Sequence, residues 1–128
     1  MITGFTNGCF DLLHEGHLHL LREACRQCDR LIVGLNSDKS VRQLKGEGRP
    51  VWVQDIRIQH LLDTRLVSGI NVFDTGEDLF RMIKFIKPDA IYKGTEYDGE
   101  YIIGQEVAPV VLIPMLPGWS TTNEIAKR

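Results

Sequence analysis

Apolar and polar positions along the chain fall into two alternating periods, one of strands and one of helices. Residues 2–6 alternate and end in Asn7-Gly8, which predicts a first strand running into a tight loop. Across residues 17–28, Leu18, Leu20, Leu21, Ala24 and Cys25 recur at helical spacing, with Arg22, Glu23, Arg26 and Gln27 mostly opposite. Leu31-Ile32-Val33-Gly34-Leu35 is a continuous apolar run, as expected of a parallel strand buried on both faces. Strand, loop, helix and strand make one βαβ unit.

The same alternation continues. Residues 40–50 carry Arg42, Lys45 and Arg49 around Gly46-Glu47-Gly48 and read as a mobile basic loop. Residues 54–62 predict a helix bearing Arg57, residues 70–73 a brief strand, and residues 78–87 a helix stopped by Pro88. Residues 90–93 and 110–114 predict the fourth and fifth strands, with a short helix over 101–107 between them. Ser120-Thr121-Thr122-Asn123-Glu124 carries the hydroxyl-then-acid signature of a helix start. The expectation is an α/β, three-layer Rossmann-like fold with a mostly parallel five-stranded sheet. Ligands of such sheets bind beyond the carboxyl ends of the strands.

Composition narrows the picture only a little. A chain of 128 residues, 43% hydrophobic and 25% charged, predicts a single globular domain. Its formal charge of −2 gives no global field favouring nucleic acid or an anionic membrane, so an anion site requires a local cluster of donors. No apolar run reaches transmembrane length, and the first residues lack a signal-peptide pattern, which predicts a cytoplasmic protein. Cys25 and Cys28 form one CxxC without a second pair, at the C-terminal end of a predicted helix where the dipole disfavours a thiolate. Reduced, partly buried thiols are the expectation for them.

The candidate chemistry gathers at the predicted strand ends. His14 and His17 are three apart at a helix start, which sets both rings on one side; the zinc-protease motif needs them four apart. Alone they could be ordinary surface histidines, or bind a metal with a third ligand. Beside the Asn7-Gly8-Cys9-Phe10 loop and the first helical N–H groups, with Gly16 permitting close approach, they suit negative charge on a transferring phosphoryl group. One of Ser120, Thr121 and Thr122 could simply cap a helix, but three hydroxyls after Gly118 exceed capping and would clamp a polyphosphate from the other side. Lys45 and Arg57 are the expected charged partners, and Arg42 and Arg49 the expected solvated charges. Neither a Walker lysine motif nor GxGxxG is present.

Asn7-Gly8-Cys9-Phe10-Asp11-Leu12-Leu13-His14-Glu15-Gly16-His17, with Gly118-Trp119-Ser120-Thr121-Thr122, resembles the cytidylyltransferase-like nucleotidyltransferases and their HxGH and STT motifs. The likeness is greatest to the sugar-phosphate branch whose adenylyltransferase domain makes ADP-heptose for lipopolysaccharide precursors. It implies attack of a sugar- or polyol-phosphate oxygen on the α-phosphorus of ATP or CTP, with Mg2+ accompanying the triphosphate and pyrophosphate leaving. His14, His17, Lys45, Ser120 and Thr121 would be catalytic. Asn7, Gly8, Cys9, Phe10, Gly16, Lys93, Gly94, Glu96 and Thr122 would bind the nucleotide, and Arg57, Lys45 and Asp11 the acceptor phosphate. No metal ligand from the protein is implied, and a homodimer is. Asn123, Pro117 and Lys93-Gly94-Thr95-Glu96-Tyr97 depart from the usual pattern of the heptose branch, which bears on substrate identity rather than reaction type. The same chemistry on glycerol 3-phosphate is the nearest alternative. A non-catalytic nucleotide-binding module is the alternative of a different class, and six intact site residues (His14, His17, Lys45, Arg57, Ser120 and Thr121) argue against it.

Overall fold

The computed structural model describes residues 1–115, so the predicted Ser120-Thr121-Thr122 helix start lies outside the described residues. Among those described, five parallel strands form one sheet in the order β3-β2-β1-β4-β5. They are β1 (Thr3–Gly8), β2 (Arg30–Asn36), β3 (Gly69–Phe73), β4 (Ala90–Gly94) and β5 (Val110–Ile113). The helices are α1 (Glu15–Arg26), α2 (Asp38–Lys45), α3 (Gln54–Asp63) and α4 (Gly76–Ile86), with a 3-10 turn at Thr95–Tyr97. The chain runs outward from β1 through β2 to β3, then returns to β4 on the other side of β1. The switch point between β1 and β4 is where such a sheet opens a crevice.

Period-two alternation along the strands divides the core. Leu31, Val33 and Leu35 of β2 meet Leu20, Leu21 and Ala24 of α1 and Leu61 of α3 on one face. Phe5 and Ile91 meet Leu79 and Ile83 of α4, with Phe73 and Ile102, on the other. The two central strands are also tied by a buried hydroxyl, Thr6 Oγ1 donating to the Tyr92 carbonyl at 2.8 Å. Among the described residues no helix is long and apolar enough to cross a membrane.

Two elements differ from the sequence reading. The segment read as a basic loop is a helix from Asp38 to Lys45, because Ser37 caps it by accepting from the Ser40 amide and Val41 anchors it in the core. Conversely, the helix predicted over residues 101–107 is a series of turns. Gly104 has φ of +98°, and the carbonyls of Ile102 and Gly104 accept from Gln105 and Val107 in short-range bonds that close turns. Helix α1 ends at Arg26, which leaves Cys25 in its last turn and Cys28 beyond it; all three cysteines are free.

Candidate active site

Strand β1 delivers the chain into residues 9–14, which bend over the carboxyl edge of the sheet before α1 begins. Two residues with side chains, Phe10 (φ 47°) and Leu12 (φ 57°), adopt left-handed backbone there. Such a conformation costs an L-residue roughly 1–2 kcal/mol. It persists because both side chains are buried and because the loop is gripped from two directions.

One grip is Arg57, which is fully buried. Its Nη1 donates to the Cys9 carbonyl at 2.8 Å and the Asn36 carbonyl at 2.7 Å, its Nε to the Trp52 carbonyl at 2.9 Å, and its Nη2 to Asp38 at 2.8 Å. The other is Asp11, whose carboxylate accepts from the Val51 amide at 2.7 Å, the Trp52 amide at 2.9 Å and Arg49 Nε at 2.9 Å. Burial alone would raise the Asp11 pKa, but the Trp52 and Val51 amides and Arg49 outweigh it and hold the carboxyl below its ordinary value. Arg57 and Asp11 hold the loop through these contacts, and Arg49, expected as a solvated charge, is instead a half-buried ion-pair partner of Asp11.

The histidines are fixed by the helix start itself. His14 is the N-cap of α1: its Nδ1 accepts from the Gly16 amide at 3.1 Å, while its own amide donates to His17 Nδ1 at 3.3 Å. This is a capping box in which two imidazoles do the work of a hydroxyl and a carboxylate. With each Nδ1 an acceptor, the proton of a neutral ring sits on Nε2, on the side away from the helix amides. The rings stack with centroids 3.9 Å apart, and Phe10 packs on His17 at 5.3 Å. Burial, followed by the nearness of His14 and Lys45, pushes His17 down to about 3 against the opposing pull of Asp11. His17 is therefore a neutral donor near pH 7.

A cavity of about 490 Å³ opens above this loop. Asn7, Gly8, Cys9, Phe10, His14 and His17 form one side of it. Lys45, the last residue of α2, and Lys93, Gly94 and Glu96 of the β4 end form the other. The structure thus brings together most of the residues singled out in the sequence. Lys93 is buried, donates from Nζ to the Asn7 carbonyl at 3.0 Å, and lies 4.8 Å from the centre of the Tyr97 ring. Burial pulls its pKa down to about 8, against Glu96 and Cys9. Glu96 folds its carboxylate back over Gly94, where any side chain would collide with it. Burial pushes the Cys9 thiol up despite Lys45, Arg57 and Arg49, so it stays protonated at neutral pH. Asn36, Leu20, Leu44, Tyr97 and Met115 complete the lining; Leu20, Leu44 and Met115 carried no chemical signal in the sequence. Among the described residues no group of three or more His, Cys, Asp or Glu side chains is arranged to hold a metal ion.

The sequence model of the family described as cytidylyltransferase-like matches residues 5–116. The chain belongs to that family. It is similar to the bifunctional protein HldE of Rhodopseudomonas palustris (strain BisA53), at 49% identity over 97% of this chain and 26% of that protein. HldE of Hyphomonas neptunium is 43% identical over the same shares. The chain therefore spans about a quarter of the length of these curated relatives. Solved structures of the same fold include the lipopolysaccharide core biosynthesis protein from Thermoplasma volcanium, with a TM-score of 0.74, 24% identity and coverage of 91% of this chain and 98% of that one. A bifunctional NMN adenylyltransferase/ADP ribose pyrophosphatase from Francisella tularensis, complexed with AMP and a manganese ion, gives 0.71 at 18% identity, covering 98% and 41%.

Proposed function

We propose that this cytidylyltransferase-like domain transfers a nucleoside monophosphate from ATP or CTP to a sugar phosphate such as heptose 1-phosphate. The observation that carries the reading is the histidine capping box: it fixes two adjacent imidazoles as Nε2–H donors at a helix start lining a cavity with two lysines. An oxygen of the acceptor phosphate attacks the α-phosphorus; the new P–O bond forms as the bond to the β-phosphate oxygen breaks, and pyrophosphate leaves. His14 and His17 donate to the α-phosphate oxygens as charge accumulates, and Lys45 and Lys93 supply positive charge. The Asn7 to Phe10 loop and the α1 start, with Gly16, hold the rest of the triphosphate. Ser120, Thr121 and Thr122 would close on the β- and γ-phosphates from the opposite side. Mg2+ enters with the nucleotide as part of the substrate. Because the contributions are positional and electrostatic, rigidity of the loop matters as much as its chemistry.

The heptose-type acceptor and ATP are supported by the similarity to HldE over nearly the whole chain. Three free cysteines and a nucleoside triphosphate substrate accord with a cytoplasmic setting. A homodimer follows from the family resemblance, and a monomer by sedimentation equilibrium would remove it. The reaction itself is tested by incubating the protein with each nucleoside triphosphate and a panel of sugar and polyol phosphates while following pyrophosphate. Release that requires one nucleotide and one acceptor together is expected. Nucleotide binding without release for any pair would leave a binding module.

A further inference from the structure

Strand β5 lies at an edge of the sheet: among the described residues it pairs with β4 alone, and the last pair of that ladder is Gly94 with Ile113. The Pro114 carbonyl is the first beyond the ladder, and a proline has no amide of its own to fasten the chain there. Its partner comes from a helix. His19 of α1 holds Nε2 2.9 Å from the Pro114 oxygen, and because a carbonyl only accepts, that nitrogen carries the proton. The bond joins elements that already share a core, in which Leu20, Leu21 and Ala24 of α1 meet Ile113, with Val111 and Met115 packed against them.

The bond gains its interest from what stands beside it. Leu20, next to His19, and Met115, next to Pro114, both line the cavity above the β1–α1 loop. The hydrogen bond therefore crosses the side of the cavity where α1 meets the exit of β5. On the same helix, two residues earlier, His17 turns its ring a different way, onto His14 and Phe10. In the other direction along the chain, Ser120 follows Met115 by five residues. One end of the bond thus belongs to the helix that carries the histidine pair, and the other to the strand exit that leads in sequence to the three hydroxyls.

Resting on the transferase reading above, we infer that His19 is a positioning residue, which fixes the exit of β5 against α1 and so sets the spacing between the two halves of the triphosphate clamp. A bond that served stability alone would tie helix to strand without any consequence for the nucleotide. The hydroxyls are placed on the β- and γ-phosphates before and during transfer alike. A slack exit therefore weakens nucleotide binding and leaves the chemical step nearly unchanged.

Binding, turnover and a local probe test this together. His19→Ala deletes the bond, and His19→Gln keeps an N–H donor at about the reach of Nε2. Arg22→Ala breaks the ion pair with Glu15 on the same helix and serves as the control. MgATP affinity is read by calorimetry, KM and kcat by pyrophosphate release, and the β5 exit by the labelled methyl group of Met115, one of three methionines in the chain. In His19→Ala the Met115 methyl signal is expected to move. Kd and KM for MgATP should rise about fivefold, the size of one lost hydrogen bond, with kcat within about twofold of the wild type. His19→Gln should restore all of these, and Arg22→Ala should leave MgATP binding unmoved. A wild-type Kd in His19→Ala, a failure of glutamine to restore it, or an equal loss in Arg22→Ala would overturn the assignment. If no substrate pair releases pyrophosphate while the loss of MgATP affinity and its rescue persist, the reaction falls and the tether stands. If release proceeds in His19→Ala with the wild-type Kd and KM, the tether falls and the reaction stands.

Discussion

His17 faces two demands that conflict in an ordinary histidine, and its surroundings resolve them. The proposed reaction sets it beside phosphates, yet it must stay neutral so that Nδ1 can accept from the His14 amide; burial, then His14 and Lys45, hold its pKa at about 3. That depression has a cost in acid. Between the unfolded pKa of 6.5 and the folded value of about 3, the unfolded chain binds a proton that the folded chain refuses. Stability from this group is thus complete above 6.5 and is lost as pH falls toward 3, by at most about 1.4 kcal/mol per pH unit. His17→Gln keeps an acceptor at the third helical position without the titration. Its urea midpoint is expected to fall less than that of the wild type between pH 7 and pH 4.5, and equal falls in the two proteins would contradict the assignment. His17→Ala should lower turnover by on the order of two decades or more while its far-ultraviolet spectrum is retained, because it deletes a transition-state donor. Lys93 titrates in the opposite functional sense. With its pKa drawn down to about 8, the free protein loses this charge as pH rises past 8, so MgATP binding should weaken from pH 7 to pH 9.5. Lys93→Gln should bind more weakly at pH 7 and show a flatter profile by calorimetry.

At the scale of elements, the loop between β1 and α1 is rigid because α2 and α3 hold it. Arg57 from α3 fastens the Cys9 carbonyl to the end of β2 and to Asp38 of α2, and Asp11 fastens the same loop to the strap at residues 49–52. Removing Arg57 would strand three carbonyls and the half-buried carboxylate of Asp38 at once. Arg57→Met is expected to cost about 3–5 kcal/mol, read as a lowered urea midpoint, with nucleotide binding weakened alongside it. A rise in acceptor KM with stability unchanged would instead return Arg57 to the acceptor phosphate. Nothing in the sequence separates those roles, since an arginine in an amphipathic helix has the same spelling whether its guanidinium turns in or out. The strands were legible because a parallel sheet buried on both faces writes itself as apolar runs such as Leu31 to Leu35. Helix α2 was not, because it buries only Ser40 and Val41 and leaves Leu44 exposed, so its apolar period is too sparse to register among the charges. The loop between β1 and α1 was legible as a motif, but its two clamps join residues 38 to 48 positions apart and so escape any local pattern.

The whole molecule carries a formal charge of −2, so the proposed attraction for a triphosphate would be local rather than global. Loop amides and a helix start, two imidazoles and two lysines collect at the carboxyl ends of the strands of a sheet with a core on each face. A ligand seated there touches β1, the start of α1, the end of α2 and the end of β4. Its binding free energy should therefore stabilise the fold as a unit rather than one loop. For a ligand that binds only the folded state, a concentration of about a hundred times Kd adds about 2.7 kcal/mol. In a domain of this size that corresponds to a rise in Tm on the order of 10 °C. MgATP at that excess should shift the near- and far-ultraviolet melting curves together, by this amount. Lys45→Gln and Lys93→Gln should show a reduced shift at the same absolute concentration, since each removes a cation from the lining. Glu15→Gln, whose parent carboxylate pairs with Arg22 on the exposed side of α1, should leave the shift close to that of the wild type. A wild-type Tm unmoved by saturating MgATP, or a shift in one spectral region alone, would mean that the nucleotide does not engage the carboxyl ends of the strands.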